Sequence, residues 1–208
     1  MGPGPVLIGS NSRNEVRKIK VNRVIVGISG ASGAPLAIRL LQALRQTTLE
    51  CHLIVTASGW QTISEETGMT AEQVCALADA VYNVDDIGAP PASGSWQALG
   101  MVVIPCSMKT LAGIHSGFSE NLLLRAADVT LKERRKLVLV PRECPLSPIH
   151  LRNQYELSMM GAVILPPVLG YYHHPKNIED MERHLVGKIL DQFDVEYDGF
   201  RRWGNCDG

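Results

Sequence analysis

The 208-residue chain has no C-x-x-C pair, and its histidines show no zinc-ligand spacing. A structural metal is therefore not expected. Its five cysteines (51, 75, 106, 144 and 206) are odd in number and unclustered. They read as reduced thiols in a cytoplasmic protein rather than a disulfide framework. Apolar runs are short, well under the roughly 20 residues that span a bilayer, and none reads as a membrane helix. Long basic runs are missing and the formal net charge is −1, so nucleic acid is not an expected partner. Aromatic residues make up only 5%. No repeat or inter-domain linker interrupts the chain, and its length suits one domain.

What is present is a regular alternation. Apolar runs at about 23–28, 51–55, 101–105, 136–140 and 162–165 read as buried strands. Helices are expected at about 33–46, opened by Thr56-Ala57-Ser58-Gly59, at 70–80 with Thr70 as cap, after Cys106-Ser107-Met108-Lys109-Thr110, at 119–134, at 147–160 with Gly161 as stop, and at 178–193. Residues 87–95, with two prolines and two glycines, read as a loop. Strands alternating with helices define an α/β class: a Rossmann-like (flavodoxin-like) three-layer fold with a mostly parallel sheet. Residues 21–208 form its single domain. Residues 1–20 are set aside as an extension, native or appended, whose apolar patch Val6-Leu7-Ile8 is too short for a signal peptide.

The chain is organised around Gly30-Ala31-Ser32-Gly33-Ala34-Pro35, a small-residue turn between the first strand and first helix. Ser32 is the expected N-cap, Pro35 suits the first helical turn, and Leu36, Leu40, Leu41 and Leu44 supply the buried face. Free N–H groups at that helix start favour an anion. The turn is not the dinucleotide fingerprint G-x-G-x-x-G, and an ordinary tight connection would look the same. Thr56, Ser107–Thr110 and Arg142-Glu143 also fall just after strands. Ligands in such sheets sit beyond the strands' carboxyl ends, so topology gathers these residues along one edge.

Arg142-Glu143 reads either as a solvated ion pair or, in a crevice, as a phosphate-holding arginine beside a proton-accepting carboxylate. Arg125 and Lys132, two turns apart, share a helix face, with Asp128 supporting Arg125. Tyr172, in the run Tyr171-Tyr172-His173-His174, is packing or, with a cation such as Lys188, a phosphate clamp. Cys106 lacks a Cys-His-Asn setting and reads as a buried thiol.

With these motifs in view, the chain resembles the UbiX-like flavin prenyltransferases, formerly described as aromatic-acid decarboxylase subunits. The resemblance runs from about residue 22 to Trp203. It is carried by Gly30-Ala31-Ser32-Gly33-Ala34, Ala92-Ser93-Gly94-Ser95, Pro105-Cys106-Ser107-Met108, Arg125-Ala126-Ala127-Asp128-Val129, Leu131-Lys132-Glu133-Arg134, Leu139-Val140-Pro141-Arg142-Glu143, Ile149-His150-Leu151, Tyr172-His173 and Arg202-Trp203. It implies an FMN site at subunit interfaces of a homo-oligomer, typically a dodecamer. Gly30, Ala31, Ser32, Thr56, Ser107, Met108, Lys109, Thr110 and Arg142 match FMN-contacting positions. Tyr172 and Lys188 match the phosphate-binding positions for dimethylallyl phosphate, and Arg125 and Lys132 match further basic positions around it. Glu143 matches the catalytic glutamate, and Ser32 a serine beside the flavin's reacting edge.

The chemistry implied joins an isoprenyl group to N5 and then C6 of reduced FMN, without a metal. The prenylated FMN serves a partner UbiD-like decarboxylase. Lys109 departs from the glycine common at its position. Ile87 stands where some relatives have Trp, which leaves Trp96 as the nearby aromatic for a wall over the prenyl group. Two competing readings stand beside this one. An FMN-dependent oxidative decarboxylase of peptidyl-cysteine type would carry a Pro-x-Met-Asn motif, which is missing here. An FMN-binding non-catalytic decarboxylase subunit would have no use for a second phosphate clamp.

Overall fold

The computed structural model describes residues 21–200 and 202. The extension expected over residues 1–20 therefore lies outside the described residues, as do Trp203 and Cys206. Six strands form one sheet: β1 (Arg23–Ile28), β2 (Glu50–Val55), β3 (Ala80–Tyr82), β4 (Gly100–Cys106), β5 (Lys136–Pro141) and β6 (Val163–Ile164). Their order is β3-β2-β1-β4-β5-β6, and every pairing is parallel. β1 and β4 are near-continuous apolar runs because both of their faces are covered. Val24, Val26 and Ile28 enter one core with Val102 and Ile104. Ile25 enters the other with Met101 and Val103.

Helices α1 (Ala34–Leu44), α2 (Ala57–Thr67) and α7 (Ile178–Leu190) contribute to the first core, and α4 (Met108–His115), α5 (Leu122–Lys132) and α6 (Pro148–Met159) to the second. The expected face of α1 is buried: Leu36 is 7% exposed, Leu40 and Leu41 0%, and Leu44 2%. Each such side chain contributes about 1.5–3 kcal/mol. The strand order reverses between β1 and β4. Their following helices, α1 and α4, leave toward opposite faces, which opens a crevice at the carboxyl edge.

Two expectations change. The helix expected over 70–80 is only α3 (Ala71–Cys75), held by a capping box between Thr70 and Gln73. The chain then turns into edge strand β3. Asp79 Oδ2 accepts from Cys51 N at 2.7 Å, and the Tyr82 hydroxyl bonds His52 Nδ1 at 2.8 Å. These tertiary bonds override the helical spacing of Val74, Leu77 and Ala78. The N-cap of α1 is Gly33 at φ 119°, not Ser32. A left-handed φ there suits glycine and leaves Ser32 one residue outside the helix.

Candidate active site

The end of β1 is fastened to the end of β4. Ser29, 1% exposed, donates from Oγ to the Pro105 carbonyl at 2.8 Å and accepts from Ser107 N at 2.8 Å. The β5 end joins them through Arg142 N, which donates to the Cys106 carbonyl at 3.2 Å. Three strand ends are thus one rigid ledge.

Two helices begin on this ledge with capped N-termini. Thr56 Oγ1 accepts from Gly59 N at 3.0 Å to cap α2. Ser107 Oγ accepts from Thr110 N at 3.2 Å to cap α4, and its hydroxyl donates to Thr110 Oγ1 at 3.1 Å. Between these starts lies a cavity of about 590 Å³, lined by Thr56, Ser58, Ser107, Lys109 and Thr110, with Leu123 and Leu124 of α5 as an apolar wall. Its size is that of a ligand pocket; the hydroxyls, helix dipoles and Lys109 at the helix starts suit an anionic, hydrogen-bonding group, while Asp85 and Glu120 also line the cavity. Gly113 lets α4 approach α5; a Cβ there would stand 2.9 Å from Leu124 Cδ2. Burial pushes the Cys106 thiol up, so it stays protonated on this ledge.

The anion expected at the α1 start is supplied by the chain itself. Glu66 Oε2, in the last turn of α2, accepts from Gly33 N and Ala34 N at 2.8 Å each. Burial pushes the Glu66 pKa up, but hydrogen bonds from Ser32, Gly33 and Ala34 together with the Arg142 charge outweigh it, so the net shift is downward. The Ser32 hydroxyl therefore bonds a carboxylate that the sequence reading missed, and the Arg142 charge acts on the same group. Its only signal was an acidic residue on a helix expected beside the Gly30–Pro35 turn. A depressed folded pKa stabilises above the unfolded value and is lost as pH falls through the folded one. Glu66→Gln should thus lower stability by about 1 kcal/mol at neutral pH, the size of an exposed cap after solvent screening. Urea denaturation should show the gap to the parent closing below the usual carboxylate range; a gap that persists in acid would remove this role.

Glu143 is exposed, and its Oε1 accepts from Cys144 N at 3.2 Å. Gly30 adjoins the cavity through Ser58, while Ala31 N is turned back onto the Ser29 carbonyl. Met108 follows the α4 cap. The four residues assigned to the second phosphate are not gathered in one chain. Tyr172 bonds His184 Nε2 at 2.9 Å beside α7, and Lys188 lies one turn beyond His184. Arg125 pairs with Asp128 at 2.7 Å and Lys132 with Glu133 at 2.6 Å, both on α5 across the sheet. α5 runs back from the ledge, so Lys132 reaches the amino edge, beside Gly94. There Arg135 binds the Gly94 and Trp96 carbonyls. Trp96 stands at that edge too, edge-on to His52 at 4.8 Å with Arg23 over its ring. It is not a wall over the ledge, because the 93–99 segment leads into the start of β4. Ile87 is 60% exposed on its loop.

A parallel sheet with a hydroxyl-lined cavity beside its switch point places the chain among the doubly wound α/β proteins, which take their ligands at that edge. The Flavoprotein family model matches residues 12–190. A probable UbiX-like flavin prenyltransferase of Streptomyces sp. (strain D7) is 51% identical over 182 residues, 87% of this chain and 91% of that protein. A dodecameric FMN-dependent UbiX-like decarboxylase from Escherichia coli O157:H7 superposes with TM-score 0.86 at 51% identity, covering 88% of this chain and 100% of that one. AnUbiX (PadA1), solved with FMN and dimethylallyl pyrophosphate, gives TM-score 0.88 at 50% identity, covering 90% and 100%. The chain belongs to the UbiX-like flavin prenyltransferase family.

Proposed function

We propose that the protein transfers a dimethylallyl group from dimethylallyl phosphate to N5 and C6 of reduced FMN, giving prenylated FMN for a partner UbiD-like decarboxylase. The observation that carries this reading is the cavity between the capped starts of α2 and α4, in a chain about half identical to named flavin prenyltransferases. FMN fits the residues present. Thr56, Ser107 and Thr110 supply hydroxyls, Lys109 a countercharge, and Gly30 a close approach of backbone. FMN enters as a substrate: N5 bonds the allylic carbon as the phosphate departs with the pair of the broken C–O bond and N5 gives up its proton. The remaining C=C then takes a proton at its inner carbon, and C6 supplies the pair that bonds the outer carbon before losing its own proton. Tyr172, Lys188, Arg125 and Lys132 hold that phosphate and stabilise its departure without a metal. Glu143 accepts the proton lost on ring closure, and Ser32 orients the reacting edge.

These basic groups lie in both outer layers of one chain, which supports a site completed by further copies in a homododecamer. Exposed apolar side chains point the same way: Ile149 is 62% exposed, Tyr155 64% and Met159 72% on α6, and Val168 67% on the following strap. The free thiols of Cys51, Cys75, Cys106 and Cys144 support a reading in which the reaction takes place in the cytoplasm. No described helix is long and apolar enough to cross a membrane.

The test is anaerobic incubation of the protein with reduced FMN and dimethylallyl phosphate, followed by mass spectrometry of the released flavin. A flavin heavier by one prenyl unit is expected. Unmodified FMN from protein that binds it would transfer the reading to a non-catalytic FMN-binding subunit.

A further inference from the structure

Tyr172 is tied to the fold through a histidine. Its Oη lies 2.9 Å from Nε2 of His184, a residue of α7 that is 8% exposed. The His173 ring stacks on the His184 ring, with centroids 4.4 Å apart and planes at 11°. The Tyr172 ring meets the same imidazole edge-on at 5.3 Å, and the Phe200 ring does so at 5.6 Å. Three rings therefore fix the imidazole plane, and with it the direction in which Nε2 points.

The protonation of that imidazole follows from its surroundings. Burial, then His173, then the Lys188 ammonium one turn along α7, hold the His184 pKa below its ordinary value, so the ring is neutral at physiological pH. A neutral imidazole carries one proton. Nδ1 is buried and has no hydrogen-bond partner among the described residues. A buried N–H without an acceptor is rarer and costlier than a lone pair without a donor. A proton on Nε2 makes Nε2–H the donor and the phenolic oxygen the acceptor. The opposite tautomer would spend the phenolic proton on Nε2 and turn oxygen lone pairs toward an approaching anion.

We infer that His184 is a positioning residue that donates through Nε2–H to Tyr172 and so directs the tyrosine's own proton at the phosphate of the allylic substrate. The inference rests on the proposed reading in which Tyr172 and Lys188 hold that phosphate. It adds a residue that touches no substrate but sets the polarity of one that does.

The test is calorimetric titration of dimethylallyl phosphate into the FMN-loaded protein. His184→Phe keeps a ring in the stack and removes the donor; it should weaken binding by about tenfold, the worth of one hydrogen bond to a charged group. His184→Gln restores a donor and should stay within about threefold of the parent. In a Tyr172→Phe background, His184→Phe should cost less than about twofold more, because the two act as a unit. Equal losses in both backgrounds, or full affinity in His184→Phe, would overturn the inference. Nitrogen NMR of the parent reads the tautomer without any variant: a proton on Nε2 is expected, and one on Nδ1 alone overturns it. Protein that binds dimethylallyl phosphate yet forms no prenylated flavin fails the proposed reaction and leaves the His184–Tyr172 coupling standing. Protein that binds none overturns both.

Discussion

Glu143→Gln should retain FMN and form prenylated FMN about 10²-fold more slowly, the usual worth of a positioned proton acceptor. The substitution is nearly isosteric. The amide oxygen can still accept from Cys144 N, the bond that now holds Glu143 Oε1 at 3.2 Å. The backbone on which it sits is anchored independently, because Arg142 N bonds the Cys106 carbonyl at the end of β4. The variant therefore loses basicity and charge while the ledge keeps its shape. Single-turnover mixing under anaerobic conditions, with the released flavin separated by mass, measures the step directly. FMN occupancy, read from absorbance, controls for the fold. Product formation at the parent rate would take Glu143 out of the mechanism and leave the closing proton to another acceptor.

The strands were legible because a parallel strand covered on both faces is apolar over most of its length, and β1, β2, β4 and β5 are, apart from Arg23, Glu50 and Lys136 at their starts and the buried His52. The edge strand β3 was not, because at three partly exposed residues it is too short to stand out as an apolar run. Its three residues follow a capped helical turn whose apolar spacing simply runs on. The positions of Thr56 and Ser107 followed from one rule, that a residue between a strand and a helix lies at the carboxyl edge. That rule says nothing about helices that run back. Hence Lys132, at the far end of α5, and Trp96, ahead of β4, stand at the amino edge although the one was expected around the substrate phosphate and the other over the prenyl group. Glu66 and His184 were invisible for another reason. Each acts on a partner distant in sequence or across a loop, Glu66 on the α1 start and His184 on Tyr172. No spacing within one helix records such a pairing.

Gly30→Ala should lower stability by about 2 kcal/mol, a fall in Tm of ~4–8 °C for a chain of this size, and should reduce the FMN retained on purification. The reason is contact, not backbone conformation. A Cβ on Gly30 would stand 2.4 Å from Ser58 Cβ and 2.5 Å from its Oγ. These atoms belong to the first turn of α2, and Ser58 lines the cavity. α2 cannot retreat cheaply from β1, because its start is fixed by its cap on Thr56 and by Thr56 N, which donates to the Ile28 carbonyl at 3.0 Å. Gly59 presses on the same strand end, since a Cβ there would meet the Ile28 carbonyl oxygen at 2.7 Å. The extra methyl must therefore push the turn or the helix start outward, and both are walls of the proposed flavin site. Ser58→Gly removes the two nearest atoms and leaves the Ser58 carbonyl carbon, 3.1 Å away, as the nearest. The double variant Gly30→Ala/Ser58→Gly should recover most of the lost Tm and FMN, even though a glycine in a helix costs about 1 kcal/mol by itself. Thermal melts and flavin content of the single and double variants measure this coupling. A double variant less stable than Gly30→Ala would show that the glycine is required for some other reason than the closeness of α2.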